Sequence, residues 1–336
     1  MKLLKTFHVP TGEIMIVEGE KGSLECLSLG DYGKEQNLKA DFLGLKKELD
    51  GVPHGELLPL EDKWVCTISS QYGCSMGCTF CDVPKVGPGR NASFWDMVEQ
   101  VQTVVDAKPD VEYTDRLNVH FARMGEPTFN WDVINAATYL YGVFRKMGWG
   151  YHPVVSTMMP RINHVRDYLS AWMHLKNVIM KGEAGLQISI NSTDEAQREE
   201  MFGGHAMTLE EIAHIVGHFK VVGRKITLNF ALSPQMKIDA IRLSKLFDPK
   251  RFLCKLTPMH ITNSVIQNHM VRPKDVQDYY QSYYPYRNVE QYLKDVGYDV
   301  IVFVPSVEED EGRITCGNAL LSGVVPACEH REETHG

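Results

Sequence analysis

The stretch Ser69-Ser70-Gln71-Tyr72-Gly73-Cys74-Ser75-Met76-Gly77-Cys78-Thr79-Phe80-Cys81 carries three cysteines at Cys-x3-Cys-x2-Cys spacing, with an aromatic residue directly before the last. It follows Val65 to Ser69, which reads as a short buried strand. Three thiolates in such a loop can hold three irons of a cubane cluster and leave the fourth iron open. A ferredoxin would add a fourth cysteine, and none stands at a local spacing. A zinc site is the competing reading, but zinc sites pair Cys-x2-Cys units or add histidine at recognised spacings, and the nearest downstream histidine is His120. Inert packed thiols fit a glycine-rich loop poorly.

Outward from this loop the sequence alternates strand and helix. Ser93-Phe94-Trp95-Asp96 reads as a helix start with Ser93 as N-cap, and Phe94, Met97, Val98, Val101, Val104 and Val105 fall on one helical face. Strands are predicted at Leu117 to Ala122, up to Ser156, at Leu186 to Ile190, Ile226 to Leu232, Phe252 to Leu256 and Val300 to Val304. Helices are expected from about Trp131, after the capping box Thr208-Leu209-Glu210-Glu211, and near 236–247 and 287–296. This alternation predicts an α/β fold with a parallel sheet and βαβ crossovers, its chemistry on the loops after the strands. The first 60 residues read differently. Gly12 to Val17 and Ser23 to Ser28 flank a Gly-Glu-Lys-Gly turn, a hairpin signal, and a loop-like stretch at Gly51 to Gly55 marks a boundary.

The composition, 43% hydrophobic and 23% charged, is that of a soluble globular protein, and no apolar run approaches the roughly 20 residues of a membrane helix. Met1-Lys2-Leu3-Leu4-Lys5 lacks the apolar stretch of a secretory signal, so a cytoplasmic location without membrane attachment is expected. A reducing compartment argues against a disulfide framework for the eight cysteines, and only the three in the loop are clustered. The net charge of −8 counts against an extensive nucleic-acid footprint, although Lys85, Arg90 and Arg123 could form a local basic rim.

The cysteine pattern resembles the radical S-adenosylmethionine (SAM) superfamily, whose members bind SAM on the open iron of a [4Fe–4S] cluster and cleave it reductively to a 5′-deoxyadenosyl radical. Met124-Gly125-Glu126-Pro127 stands where that superfamily has a Gly-Glu-Pro motif after a strand. The resemblance implies SAM contacts from Gly125 and Glu126, a carboxylate that can accept from the SAM ammonium. It implies further contacts from Ser156 and Ser189 at strand ends, and from Thr262 or Asn263. The expected architecture is a partial (β/α)6 TIM-like barrel over residues 61–325, preceded by a small β-rich extension over 1–60 and followed by a flexible tail at 326–336.

The similarity narrows to the RlmN/Cfr branch. Ser-Ser-Gln-x-Gly-Cys-x3-Cys-x-Phe-Cys, Gly87-x2-Arg90-Asn91, Met-Gly-Glu-Pro-x2-Asn130, Ile188 to Asn191 with Arg198, and Thr315-Cys316-Gly317-Asn318 carry it, across about residues 56 to 322. That branch methylates C2 or C8 of adenine in ribosomal RNA and tRNA. By resemblance, the Cys316 thiolate takes a methyl group from one SAM, and a radical made from a second SAM activates it for addition to the base. An RNA or a nucleotide-like substrate is implied, as is an electron donor such as flavodoxin or ferredoxin. Glu56 matches a family glutamate near the substrate base.

Two departures stand out. The family's second cysteine lies seven residues before the first cluster cysteine, where this chain has Thr67, and Cys66 is one residue further back. A one-residue shift on a regular strand turns a side chain to the opposite face, so Cys66 can serve only if a bulge re-aims it. Family members acting on ribosomal RNA also carry a longer helical N-terminal domain, where about 60 β-like residues stand here. Both departures keep a nucleotide or other small-molecule substrate in view, and a non-catalytic iron–sulfur or zinc protein as a third reading.

Overall fold

The computed structural model describes residues 1–9, 11–31, 48–49, 52–53, 57–270, 284–303, 309 and 312–323. One sheet of ten strands runs through them, and the strand order in space is the order in the chain. The first three strands, β1 (Lys2–Val9), β2 (Gly12–Gly19) and β3 (Gly22–Leu29), form an antiparallel meander. The next seven are parallel: β4 (Trp64–Ile68), β5 (Leu117–Phe121), β6 (Tyr151–Thr157), β7 (Gly185–Ser189), β8 (Ile226–Leu232), β9 (Phe252–Pro258) and β10 (Asp299–Val302). The alternating pattern therefore produces the parallel α/β barrel sheet expected of it. The β-rich extension makes no layer of its own: β3 pairs antiparallel with β4 and continues the same sheet.

Helices α1 (Phe94–Asp106), α2 (Asp132–Lys146), α3 (Val165–His174), α4 (Glu195–Met201), α5 (Leu209–Val216), α6 (Ala240–Leu246), α7 (Asn263–Gln267) and α8 (Tyr284–Asp295) lie between or beyond the parallel strands. Both anticipated capping boxes form, Ser93 with Asp96 and Thr208 with Glu211, each satisfying two backbone N–H groups that a helix start leaves open. Met97, Val98, Val101 and Val104 of α1 are buried, as the 3.6-residue spacing of its apolar face requires.

The strands divide two environments. Trp64, Cys66 and Ile68 of β4, Leu117, Val119 and Phe121 of β5, and Leu186 and Ile188 of β7 are buried in the main core shared with the helices. The alternate positions, Thr67, His120, Ser156, Gln187, Asn229 and Lys255, are half-buried and mostly polar, and strand register puts them side by side on the inner face of the barrel. Asn229 donates to Gln187 Oε1 (2.8 Å), as does Ser156 Oγ (3.2 Å). His120 is driven down to about 3 by burial, then by Lys255, Arg224, Lys63 and Arg116, so it is neutral at physiological pH. Among the described residues no helix is long and apolar enough to cross a membrane.

Candidate active site

Parallel strands bring all their C-terminal loops to one end, and there the cysteine loop is built. It leaves β4 at Ile68 and is stitched to the loop after β5, where Ser70 N and Gln71 N both donate to Met124 O (2.9 and 3.2 Å). Gln71 is the hub. Its Nε2 donates to Ser75 Oγ (3.0 Å) and Asn91 Oδ1 (2.8 Å), and its Oε1 accepts from Ser75 N (3.2 Å) and Glu126 N (3.1 Å). Asn130 Nδ2 donates to Ser70 O (2.9 Å) and Ala92 O (2.8 Å), while Asn91 Nδ2 donates to Phe129 O (2.7 Å). The motif residues around 71, 91, 126 and 130 thus hold one another. Two glycines make this possible. Gly73 has φ +76 and a Cβ there would collide with Gly87 O, and Gly125 has φ +94 with Gln71 Cβ only 2.5 Å from where its own Cβ would lie.

Cys78 is buried, and Cys74 and Cys81 are half-buried. Desolvation pushes the Cys74 thiol up to about 11, and it holds Cys78 and Cys81 well above the usual thiol range too. The neighbouring cysteines add to it: Cys81 and Cys74 raise Cys78, and Cys74 raises Cys81. Burial and mutual repulsion thus favour the neutral thiols here, and thiolates at these positions would be stabilised by a positive partner such as the irons of a cluster. Two backbone N–H groups already point at one sulfur, from Met76 (3.4 Å to Cys74 Sγ) and from Gly125. Among the described residues no group of three or more His, Cys, Asp or Glu side chains closes on a single ion.

Glu126 is buried, and desolvation raises its carboxyl despite several donors. Oε1 accepts from Thr128 N (3.1 Å) and Thr128 Oγ1 (2.7 Å), and Oε2 accepts from Met158 N (3.0 Å), so the carboxylate ties the loop after β5 to the end of β6. Ser156 and Ser189 lie on the inner face at the ends of β6 and β7. Arg198, buried on α4, donates to the carbonyls of Ser189 (3.3 Å), Ile190 and Met207 (3.1 Å), which fixes the loop after β7. Thr262 is engaged in the fold: it caps α7, accepts from Val265 N (3.0 Å) and donates to Phe80 O (2.7 Å).

Cys316 is exposed, and the loop that carries it docks on the cluster loop. Its neighbour Gly317, at φ +88, accepts from Asp82 N (2.8 Å), and a Cβ on Gly317 would lie 3.8 Å from Cys81 Cα. Cys316 is close enough for its charge to raise Cys81 and, after the dominant lowering by burial, to hold Lys255 more firmly protonated. Residues 235 positions apart in the chain, Asp82 and Gly317, thereby meet.

Two expectations change. Cys66 is fully buried on the helix-facing side of β4, where burial first and Cys26 second push its thiol far up. β4 runs in unbroken register with both neighbours, Cys66 opposite Ser28 and Val119, so no bulge re-aims it. Thr67 occupies the inner position instead. The basic rim is also reduced: Arg123 is buried against Glu25 (2.7 Å), while Lys85 and Arg90 remain exposed, Lys85 paired with Asp82 (3.0 Å). Glu56 lies outside the described residues. Sequence reasoning passed over Asp82, whose buried carboxylate accepts from Asn263 N (3.0 Å), Ser264 N (2.9 Å) and Ser264 Oγ (2.7 Å) and so joins the cluster loop to α7. Its position directly after Cys81 was the available signal.

No protein-family profile matches the chain. Among curated proteins it is similar to a probable dual-specificity RNA methyltransferase RlmN of Aquifex aeolicus, 27% identical over 214 residues, or 61% of this chain and 58% of that protein. A second probable RlmN, from Chlorobaculum tepidum, is 28% identical over 229 residues, 66% of this chain and 57% of that one. The chain thus spans somewhat over half the length of these relatives. Among solved structures, a radical SAM methyltransferase from Sphaerobacter thermophilus superposes with a TM-score of 0.64 at 16% identity, covering 94% of this chain and 80% of that one. The chain thus shares the fold of that radical SAM methyltransferase, and its sequence is similar to proteins named RlmN.

Proposed function

We propose that this protein is a radical SAM methyltransferase that methylates an sp2 carbon, C2 or C8, of adenine in RNA, with Cys74, Cys78 and Cys81 as cluster ligands and Cys316 as the methyl carrier. The observation that supports this best is the docking of the Cys316 loop on the cluster loop through Gly317 and Asp82. When bound, the cluster supplies the electron that cleaves SAM, and a flavodoxin or ferredoxin delivers it. The remaining tasks fall to the chain's own residues. Gln71, Asn91 and Asn130 fix the cysteine loop, Glu126 ties it to β6, and the inner polar face of Ser156, Gln187, Asn229 and Lys255 offers donors and acceptors to a polar ligand.

Two observations favour a second reading, a nucleotide or other small molecule as substrate. The inner face carries Thr67 where a second thiol would stand, and two of the three residues of the basic rim are internally paired. Incubation of cluster-replete protein with SAM, a reductant and RNA, followed by nucleoside analysis, separates the two. Methyladenosine in the RNA is the expected result. Release of 5′-deoxyadenosine without any methylated nucleoside would overturn the RNA reading and leave the small-molecule one.

A further inference from the structure

The loop that carries Cys316 is held from an unexpected direction. Glu25 of β3 and Arg123, just past β5, form a buried ion pair in which Arg123 Nε donates to Glu25 Oε2 (2.9 Å) and Nη2 lies 2.7 Å from the same oxygen. Both partners have a second contact, and both contacts lie in the Cys316 loop. Glu25 Oε1 accepts from Leu321 N (2.7 Å), and Arg123 Nη1 donates to Arg313 O (3.1 Å). The pair therefore grips the loop on both sides of Cys316. Arg313 passes the restraint on, donating to Ile261 O (2.9 Å) and Asn318 Oδ1 (3.2 Å).

Apolar packing acts in the same place. Phe7, Ile14, Ile16 and Leu27 of the meander form a small core that is separate from the main one and includes Leu320, with Ile314 and Leu321 packed against it. Burial of these aliphatic side chains adds a hydrophobic restraint on the same loop. An unpaired charge at so buried a position would be costly, so the two members of the pair depend on each other.

We propose that the Glu25–Arg123 pair is a clamp that fixes the Cys316 loop over the cluster cysteines, making the N-terminal meander a positioning element for the methyl-carrying thiol. The proposal rests on the reading of Cys316 given above. Neither residue touches the reacting atoms; they act through the loop. The meander thus does for this chain something other than enlarge an RNA surface.

The test compares holoprotein with the double variant Glu25→Leu/Arg123→Met, which removes both charges together and leaves neither unpaired, and with the conservative Arg123→Lys. Amide exchange at Ile314 to Leu321 and alkylation of Cys316 by iodoacetamide should both quicken at least roughly tenfold in the double variant, as expected for losing hydrogen bonds to charged groups. Amides of Leu117 to Phe121 and the iron content should stay as in the parent. The methylated fraction of Cys316 after incubation with SAM should fall in the double variant and fall less in Arg123→Lys, which keeps the charge but shortens the reach to Arg313 O. Unchanged exchange and alkylation in the double variant would overturn the clamp. If that variant loses protection at Leu117 to Phe121 as well, Arg123→Lys decides through faster exchange confined to the loop. A parent protein with no methyl on Cys316 would refute the methyl-carrier reading, while exchange would still judge the clamp.

Discussion

Cys66 and Cys81 lie on either side of the same strand end, and their surroundings assign them different work. Cys66, with Cys26 and Cys254, is fully buried in the sheet–helix core, and desolvation keeps each of these thiols protonated. Cys81, with Cys74 and Cys78, sits on a loop beyond the strand, where other cysteines add to the desolvation and two backbone N–H groups are aimed at one sulfur. Core thiols are stable as they are. The loop thiols differ in place rather than in the direction of their shift: they stand together on one loop, where the proposed cluster would be the positive partner of their thiolates.

This contrast can be broken by substitution. The largest effect is expected for Cys78→Ser, which should bring reconstituted iron from about four per chain to near none; iron and sulfide analysis checks it. Retention of the full cluster would remove Cys78 from the ligand set. An intermediate effect belongs to the pH axis. The Cys26 thiol is raised from its ordinary 9.0 to about 12, mainly by burial, with Glu25 adding to it and Arg123 opposing. The unfolded chain releases this proton near pH 9 while the folded one keeps it. Stability should therefore fall as pH rises from about 9 towards 12, and denaturation midpoints of Cys26→Ala should fall less steeply there. The smallest effect is expected for Cys66→Ala, a core truncation costing about 1–2 kcal/mol. Its activity per iron should equal that of the parent, and a product-release defect in a stopped turnover assay would put Cys66 back in the reaction.

The sequence made the barrel legible because period-2 and period-3.6 patterns are local, and both capping boxes were readable for the same reason. It made the cluster loop legible because ligand spacing is local too. What it hid is long-range. Glu25 and Arg123 are 98 residues apart, and nothing near either announces the other. Arg123 reads as a surface cation because arginine is almost never fully buried unless paired, and its pairing is a property of the fold. Gln71, Asn91 and Asn130 were visible as motif letters, but their mutual hydrogen bonds exist only once three loops meet. Strand β1 lacked a clear alternation, with Lys2 to Lys5 all exposed and a register shift between Leu3 and Lys5. The meander's union with the barrel sheet was therefore missed.

The central claim is that the loop cysteines and Cys316 form one methylating site. Mass spectrometry of the Cys316 peptide from cluster-replete protein exposed to SAM tests it most directly. One methyl group on Cys316, absent when Cys78 is replaced by serine, is the predicted result. An unmodified Cys316 in protein with its full complement of iron would contradict it.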